Sequence, residues 1–308
     1  MPNPVICIGA AFVDELFHVK KEMMFGTTNE ALVTKTAGGV GRNIAHQLAL
    51  LDVEVQLISV FGNDTDGDWL KQTCAKAGVK LDASITKEGP SGKYTAILNI
   101  DGSLFTGFMS HESVNLITPA HLEKNKDLLK TASYLLADAN INAETGEWLV
   151  AFSNNTGIPL ILEPVSVPHA RKFKNINLSG LYLLTPNDDE LPFLCSEKAL
   201  FTQQQIEELL KKGVQNVWLH TGKLGSTIYN KERSITLHAP EMEIVDSTGA
   251  GDGALAGYIL GKTLGKDDIG CLKLAHTLSA EILQVNGAIT TNLNQEKLLT
   301  LVSKYYPE

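Results

Sequence analysis

Cysteine is scarce in this sequence, and the few that occur show no spacing typical of a shared site. The 308 residues include four cysteines, Cys7, Cys74, Cys195 and Cys271, with no Cys-x-x-Cys pair among them. The eight histidines show no metal-ligand spacing either. We therefore expect reduced, mostly buried thiols in a cytosolic protein.

Basic charge and long apolar runs are also lacking. The net charge of -9 argues against a nucleic-acid-binding surface, although a local basic site for an anionic nucleotide stays open. The N-terminus has no basic segment, and its first apolar run, residues 5–9, has the length of a strand. The sequence predicts a soluble cytoplasmic protein that binds neither nucleic acid nor membranes.

Alternating helix and strand patterns dominate the second half of the chain. With 44% hydrophobic residues the chain can bury a sizeable core, and its length suits one α/β domain with an insertion. Strand–helix alternation after Thr118 predicts a parallel sheet covered on both faces. The strands are expected at 5–11, 53–61, 133–137, 158–162, 181–184, 216–220, 226–230 and 234–239. The helices are expected at 44–51, 68–77, 119–130, 144–154, 203–212, 255–264 and 269–285.

Short alternating segments in the first third predict a second, smaller sheet. Segments 93–100 and 104–109 flank Asp101-Gly102, a strong hairpin signal. Strands at 12–19, 30–33 and 83–86 are expected to join them. Such a sheet is too small to stand alone, so it predicts a lid over a site or a dimer surface, inserted from about 12–36 and 83–111.

A glycine-rich segment precedes the first helix. Gly38, Gly39 and Gly41 let the backbone approach a ligand closely, and Asn43 offers a donor and an acceptor that suit a diol. The same glycines are equally compatible with a tight turn alone. Asp14 follows the first strand, at the sheet edge where open α/β sheets bind ligands.

The segment from Asp246 to Gly253 carries the strongest indication of chemistry. Gly249, Ala250 and Gly251 have almost no side chain, so their backbone N–H groups can turn towards one anion at a helix N-terminus. Asp252 follows in the first helical turn, where a carboxylate would repel a phosphate. The arrangement makes sense if Asp252 removes a proton from a hydroxyl that attacks phosphorus.

Asn187 and Glu190 lie just beyond a predicted strand end. At this spacing the amide and the carboxylate share one face of a helical turn, and Glu190 could act on Mg²⁺ through water. The alternative is a capping box at a helix start, and the two interpretations are compatible. Asp64 and Asp66 lack the later ligands of a calcium loop and are expected to be a helix cap and solvated charges.

These motifs together resemble the ribokinase-like (PfkB) carbohydrate kinases. Residues 246–252, D-S-T-G-A-G-D, are close to that family's D-T-x-G-A-G-D signature, and the other two motifs resemble its G-G-x-x-x-N and N-x-x-E elements. The resemblance implies a three-layer α/β/α fold with a mainly parallel central sheet and a small β-sheet lid. It also implies an ATP-dependent phosphotransferase that requires Mg²⁺, with K⁺ as a further candidate.

The resemblance assigns a role to each motif. Asp252 corresponds to the catalytic base, and Gly249, Ala250 and Gly251 correspond to the anion hole. The positions implied to bind sugar hydroxyls are Asp14, Gly39 and Asn43. The positions implied for Mg²⁺ and nucleotide are Asn187, Glu190, Thr221, Gly222 and Gly225. A monovalent cation is expected near Asp246, Thr248 and Gly287.

Four segments, at 38–43, 94–99, 138–140 and 163–166, are more similar to pseudouridine kinases than to ribokinases. They add Gly38, Tyr94, Asp138 and Asn140 to the candidate substrate residues. Phe12 stands where a ribokinase has a polar residue, and it could pack against a base or fill the lid. Ribose, another nucleoside or a sugar acid remain rival acceptors, as does a family member that binds without catalysis. A homodimer through the lid is expected.

Overall fold

The computed structural model describes residues 3–307 and contains an eight-stranded central sheet. The strands are β1 (Val5–Ile8), β2 (Phe12–Val19), β3 (Ala31–Gly38), β4 (Val55–Ile58), β5 (Val60–Gly62), β6 (Ile85–Lys87), β7 (Lys93–Leu98), β8 (Leu104–Ser110), β9 (Tyr134–Asp138), β10 (Leu160–Glu163), β11 (Leu183–Leu184), β12 (Asn216–His220), β13 (Ser226–Tyr229) and β14 (Ser234–Leu237). The α-helices are α1 (Val40–Leu50), α2 (Thr65–Ala77), α3 (Pro119–Lys124), α4 (Lys126–Leu129), α5 (Ala143–Thr156), α6 (Val167–Phe173), α7 (Leu191–Leu194), α8 (Thr202–Lys211), α9 (Ala250–Thr263), α10 (Asp268–Leu283) and α11 (Gln295–Tyr305).

The central sheet has the order β14-β13-β12-β11-β10-β9-β1-β4. Its strands from β12 to β4 pair in parallel, whereas β13 and β14 are antiparallel additions at one edge. Parallel pairing requires crossover connections, and helices supply most of them. Among residues 3–307, no helix is both long and apolar enough to cross a membrane.

Alternate residues of each central strand enter two separate cores. Ile6 and Ile8 of β1 pack into one cluster with residues of α5 and α8. Val5 and Cys7 pack into the other, with residues of α1, α9 and α10. Because side chains of a strand alternate between faces, a strand buried on both faces is continuously apolar. The predicted three-layer α/β/α architecture with a mainly parallel sheet is confirmed.

The second sheet has four strands in the order β3-β2-β7-β8. The hairpin at Asp101-Gly102 joins β7 to β8, and Gly102 has φ +82°, as its turn requires. The prediction that 83–86 belongs to this sheet was wrong. Strand β6 instead pairs in parallel with β5, and the Ile85 amide donates to the Ser59 carbonyl at 2.8 Å.

Helix boundaries differ from the predicted ones in several places. Helices α1 and α9 begin four or more residues earlier than expected, because glycines at their starts hide the apolar periodicity. Residues 119–130 form two short helices broken at Asn125, whose side-chain amide donates to the His121 carbonyl at 2.9 Å. Helices α6 and α11 were not predicted. The four cysteines are free and buried, as expected.

Candidate active site

Asp138, at the end of β9, anchors the loops around the site. Its carboxylate accepts hydrogen bonds from the amides of Ala10 (2.9 Å), Gly41 (2.7 Å) and Asn140 (3.0 Å). A Cβ at Gly9 would lie 2.3 Å from this carboxylate, so only glycine fits there. Asp138 is fully buried and both of its oxygens bind backbone. The structure therefore gives this predicted substrate residue a positioning role, fixing the start of α1 against β1.

Asp14 lies on β2 beside the glycine pair that precedes α1. A Cβ at Gly38 would lie 2.1 Å from Asp14 Oδ2, and one at Gly39 would lie 2.4 Å from the Ala10 carbonyl oxygen. Gly39 also has φ +95°, a conformation that favours glycine. Burial raises the pKa of Asp14 to about 6, against the lowering effect of the nearby Arg42 charge.

Arg42 is a buried cation that the sequence motifs did not identify as a functional residue. It is 1% exposed, and its guanidinium donates to the carbonyls of Gly38 (3.0 Å) and Ala37 (2.5 Å) and to Asn43 Oδ1. The signal available in the sequence was an arginine within a glycine-rich helix start. A charge that is buried there needs several hydrogen-bond partners and so is placed with a purpose. Arg42 thereby orients the Asn43 amide and contributes positive charge near Asp14.

Asp252 meets this group from the far end of the chain. Asn43 Nδ2 donates to Asp252 Oδ2 at 2.7 Å, joining α1 to the first turn of α9. Burial raises the pKa of Asp252 to about 6, while the Asn43 hydrogen bond and the Arg42 charge lower it and the Asp138 and Asp14 charges add to the rise. A carboxylate with this pKa is mostly ionised at neutral pH yet basic enough to accept a proton.

The start of α9 provides unpaired backbone donors next to Asp252. Gly249 is the N-cap with φ +76°, and a Cβ there would lie 2.4 Å from Ala288 Cα. As the first N–H groups of the helix, those of residues 249–252 have no acceptor within it. The Ala250 amide makes a long hydrogen bond to the Ser247 carbonyl (3.4 Å). A Cβ at Gly251 would meet nothing within 4 Å, so the helix start is open at Gly251, and free N–H groups at a helix N-terminus suit an anion.

Asp246 ties the segment before α9 to the loop after α10. It accepts hydrogen bonds from the Thr248 amide (2.9 Å) and the Gly287 amide (2.8 Å). Burial raises the pKa of Asp246, and these two amides outweigh that effect, so the net shift is downward. The structure thus brings together the three residues predicted to surround a monovalent cation.

Asn187 and Glu190 form the reciprocal cap that was expected as the alternative interpretation. Asn187 Oδ1 accepts from the Glu190 amide (2.9 Å), and Glu190 Oε2 accepts from the Asn187 amide (3.1 Å). Asn187 is exposed and Glu190 is 4% exposed. The cap does not use Glu190 Oε1, which leaves one carboxylate oxygen for a further ligand.

Glu163, at the end of β10, is a second site residue that was missed. Burial, then the Glu190 charge and more weakly the Asp252 charge raise its pKa well above the usual value, although hydrogen bonds from Thr185 and Val165 act in the opposite direction. Glu163, which is half-buried, and Glu190, which is buried, are therefore neighbouring carboxylates whose charges repel. A bound cation would relieve this repulsion, so these residues fit Mg²⁺.

The predicted nucleotide loop lies beside this pair. The His220 amide donates to the Pro186 carbonyl at 3.0 Å, which places Thr221 next to Asn187. Thr221 closes the loop by donating its amide and its hydroxyl to the Gly225 carbonyl, both at 2.9 Å. Gly225 has φ +100°, and a Cβ there would lie 2.1 Å from the Leu237 carbonyl oxygen.

Two predicted substrate residues pack against the protein itself. Phe12 is 3% exposed and belongs to the core that contains Ile6 and Ile8. Its ring lies 2.4 Å from the position that a Cβ at Gly92 would take. Tyr94 pairs with Asp14 across β2 and β7, but its ring lies over Gly107 of β8. For Phe12 the structure therefore favours the interpretation in which it fills the space beneath the lid.

Comparison with known proteins shows the family that the chain matches. Residues 3–295 match the model of the pfkB family carbohydrate kinases. The uncharacterized sugar kinase YeiI of Escherichia coli K12 is 34% identical over 231 residues, which are 73% of this chain and 62% of that relative. The pseudouridine kinase of the same organism is 28% identical over 261 residues, 82% of each chain.

A solved structure shows the same fold. Arabidopsis thaliana ribokinase, complexed with ribose and ATP, superposes with a TM-score of 0.83 at 24% sequence identity, covering 98% of this chain and 99% of that one. Since the family model spans nearly the whole chain and the fold agrees, the protein belongs to the pfkB family of carbohydrate kinases, phosphotransferases that act on an alcohol group.

Proposed function

We propose that this protein is an ATP-dependent kinase that phosphorylates the ribose 5′-hydroxyl of pseudouridine. The observation that carries the proposal is the position of Asp252, hydrogen-bonded to Asn43 and adjacent to the unpaired amides at the start of α9. A base and an anion site then lie side by side, as transfer of phosphate to a hydroxyl requires.

Each group at this point has a defined task in the proposed reaction. Asp252 aligns the acceptor hydroxyl and takes its proton as the oxygen attacks the γ-phosphorus, while the bond from that phosphorus to the bridging oxygen breaks and ADP leaves. The amides of Gly249, Ala250 and Gly251 donate hydrogen bonds to the phosphoryl oxygens, where negative charge accumulates. Asp14, Gly39 and Asn43 hold the other sugar hydroxyls, so that the reacting oxygen has one orientation.

The nucleotide half of the site lies across the carboxyl edge of the sheet. Thr221, Gly222 and Gly225 would line the ATP site next to Asn187. Glu190, with Glu163 beside it, would hold Mg²⁺ through water, and the ion when bound offsets phosphate charge. In residues 3–307 no group of three or more Asp, Glu, His or Cys side chains could hold a metal ion. Phosphate oxygens of ATP and water would supply the other Mg²⁺ ligands. The loop of Asp246, Thr248 and Gly287 is the proposed K⁺ site.

The choice of pseudouridine rests on similarity to the E. coli pseudouridine kinase and on the four segments that resemble that group. Similarity to Arabidopsis ribokinase at 25% identity supports ribose as the second candidate. An ADP-release assay with pseudouridine, uridine, ribose and 2-keto-3-deoxygluconate distinguishes them. We expect the highest kcat/KM with pseudouridine. Turnover of ribose alone would reverse the order, and no turnover with any acceptor would favour a non-catalytic nucleoside-binding protein.

The small sheet is proposed to be an inserted lid within a single domain, and also a dimer surface. Its strands β3 and β8 carry large apolar side chains that are exposed in the single chain, which are Leu32, Val33, Leu104, Phe105, Phe108 and Met109. Covering these side chains with a second copy would remove apolar surface from water. Closure over the acceptor would exclude water, which competes as a nucleophile.

A further inference from the structure

A second polar cluster adjoins the acceptor site and has no role in phosphate transfer. We call it the distal cluster: His111 after β8, Asn140 after β9, and His169 and Lys172 on α6. The His111 and His169 rings lie edge to face with centroids 6.0 Å apart. Lys172 Nζ donates to the backbone carbonyls of Asn140 (3.4 Å) and Ile141 (3.2 Å).

Asp138 and Gly92 connect this cluster to the proposed sugar site. The Asp138 carboxylate binds the amides of Gly41 and Asn140, and its charge acts on both Asp252 and Lys172. On the lid side, a Cβ at Gly92 would lie against the Phe12 ring and 3.2 Å from the Ser110 carbonyl oxygen. His111 directly follows Ser110, and Phe12 precedes Asp14 by two residues. The distal cluster therefore adjoins the proposed sugar site at two points. At Asp138 one carboxylate binds both Asn140 and Gly41, and at Gly92 the chain lies against Phe12 and Ser110, the neighbours of Asp14 and His111.

Two polar atoms of the cluster are buried without a hydrogen-bond partner. In the part of the chain that the structure describes, Asn140 Oδ1 and His111 Nδ1 bond to nothing, and Ser113 Oγ, two residues after His111, shares this property. Asn140 is 2% exposed. Buried polar atoms are nearly always paired in native proteins, so unpaired ones next to a substrate site indicate groups that bind a ligand.

The chemistry of the cluster suits an uncharged, hydrogen-bonding ring. His169 Nδ1 forms a hydrogen bond with Ser166 Oγ at 2.7 Å, and the Nε2 atom of the same ring takes no part in this bond. Burial, then the Lys172 and His111 charges, lowers the pKa of His169 to about 4, so its imidazole is neutral at pH 7. The neutral His169 imidazole and the Asn140 amide can both donate and accept hydrogen bonds, whereas Lys172 donates to backbone carbonyls.

We propose that His111, Asn140 and His169 recognise the base of a nucleoside acceptor, with Lys172 positioning the Asn140 loop. The base is an uncharged ring with both donors and acceptors on its edge, as in a pyrimidinedione. This inference rests on the proposed kinase function and deepens it, because it names the residues that select a nucleoside over a free sugar.

The test compares two acceptors in the same variants. kcat/KM is measured for pseudouridine and for ribose in the full-length enzyme and in Asn140→Ala, His111→Ala, His169→Ala and Lys172→Met. We expect the pseudouridine-to-ribose ratio to fall about tenfold or more in each, as loss of one hydrogen bond to a substrate predicts. The control is His18→Ala, a histidine at the other end of β2 from Phe12, which should keep the wild-type ratio.

The other outcomes either overturn the inference or require a measurement of pseudouridine binding. Equal losses with both acceptors would assign the cluster to folding and overturn it. Wild-type turnover of ribose with none of pseudouridine or uridine would overturn it while leaving a kinase. If no acceptor is turned over, the proposed function fails, and calorimetry with pseudouridine decides: binding weakened by the variants supports the inference, and no binding by the wild type overturns it.

Discussion

Asp252 is a carboxylate that the fold keeps partly away from water and close to other acidic groups. Its raised pKa reflects mainly burial, and the Asp14 charge adds to the rise. Asn43 and Arg42 counter this by stabilising the ionised form, so that the side chain stays basic near neutral pH. The protonation state of Asp252 therefore depends on its burial, on the Asn43 hydrogen bond and on the neighbouring charges.

Asp252→Asn should keep the fold and ATP binding but lower kcat by about 10³-fold, because the amide cannot accept the hydroxyl proton. Steady-state kinetics measure the loss, and a thermal melt with an ATP analogue checks binding. Asp127→Asn is the matched control, since the Asp127 side chain is 92% exposed on α4. Near-wild-type turnover by Asp252→Asn would remove Asp252 from the role of base.

The pH dependence of kcat/KM should report the same carboxylate. Because the pKa of Asp252 is raised from 3.8 to about 6, the base is protonated and inactive below pH 6 and ionised above it. Activity should therefore rise with pH through about 6 and level off. The pKa of Asp14 is also raised to about 6, and repulsion between the two carboxylates spreads the rise in activity over a wider pH range. A rate that is flat between about pH 5 and pH 8 would contradict the assignment.

At the scale of elements, the start of α9 depends on the backbone conformation of Gly249. Its positive φ turns the chain into the helix at Ala250, and the amides of the first turn have no acceptor within the helix. The neighbouring loop is so close that Ala288 leaves no room for a Cβ. Helix start and loop thus form one unit, held further by Asp246 through its contact with the Gly287 amide.

Gly249→Ala should reduce both stability and turnover, because it combines an unfavourable φ with a collision against Ala288. Gly157→Ala is the matched control: Gly157 has φ +74°, close to the +76° of Gly249, but nothing within 4 Å of its Cβ position. The control should lose about 1 kcal/mol of unfolding free energy with normal kcat. Denaturant melts and kinetics test this, and equal effects of the two variants would show that the Ala288 contact is unimportant.

At the scale of the whole molecule, the chain's ends and its middle must meet to complete the site. Asp14 and Asn43 come from the first fifty residues, Asn187 from the middle and Asp252 from α9, the first of the three helices that follow β14. The small sheet is built from two separated parts of the chain, and its two edge strands, β3 and β8, expose large apolar side chains. The prediction at this scale therefore concerns the oligomeric state.

Phe108→Asp should convert the proposed dimer to a monomer, because it introduces a charge at an apolar side chain of β8 that is 64% exposed in the single chain. Sedimentation velocity of the purified protein measures the change. Leu200→Asp is the control, an equally drastic change at a residue that is 74% exposed on the loop before α8. A wild-type protein that sediments as a monomer at all concentrations would exclude the lid-mediated dimer.

Local patterns in the sequence predicted the architecture and the centre of the site. Strand–helix alternation gave the parallel sheet, because a strand covered on both faces must be apolar throughout. The hairpin at Asp101-Gly102 and the glycine turns before α1 and α9 could be predicted from the sequence, because positive φ and close backbone approach restrict the residue type. The site roles themselves stay predictions until the variants above are measured.

Only the tertiary structure decided which of these side chains are open to a ligand. Asp138 ends a strand as a ligand residue would, yet three amides from separate segments occupy its carboxylate. Phe12 lies in the core, β6 pairs with β5, and Glu163 lies beside Glu190. These facts depend on contacts between residues far apart in the chain, and one sequence carries no local signal for them. The sequence thus determined the backbone donors around Asp252, and the fold determined the charges and the distal cluster that surround them.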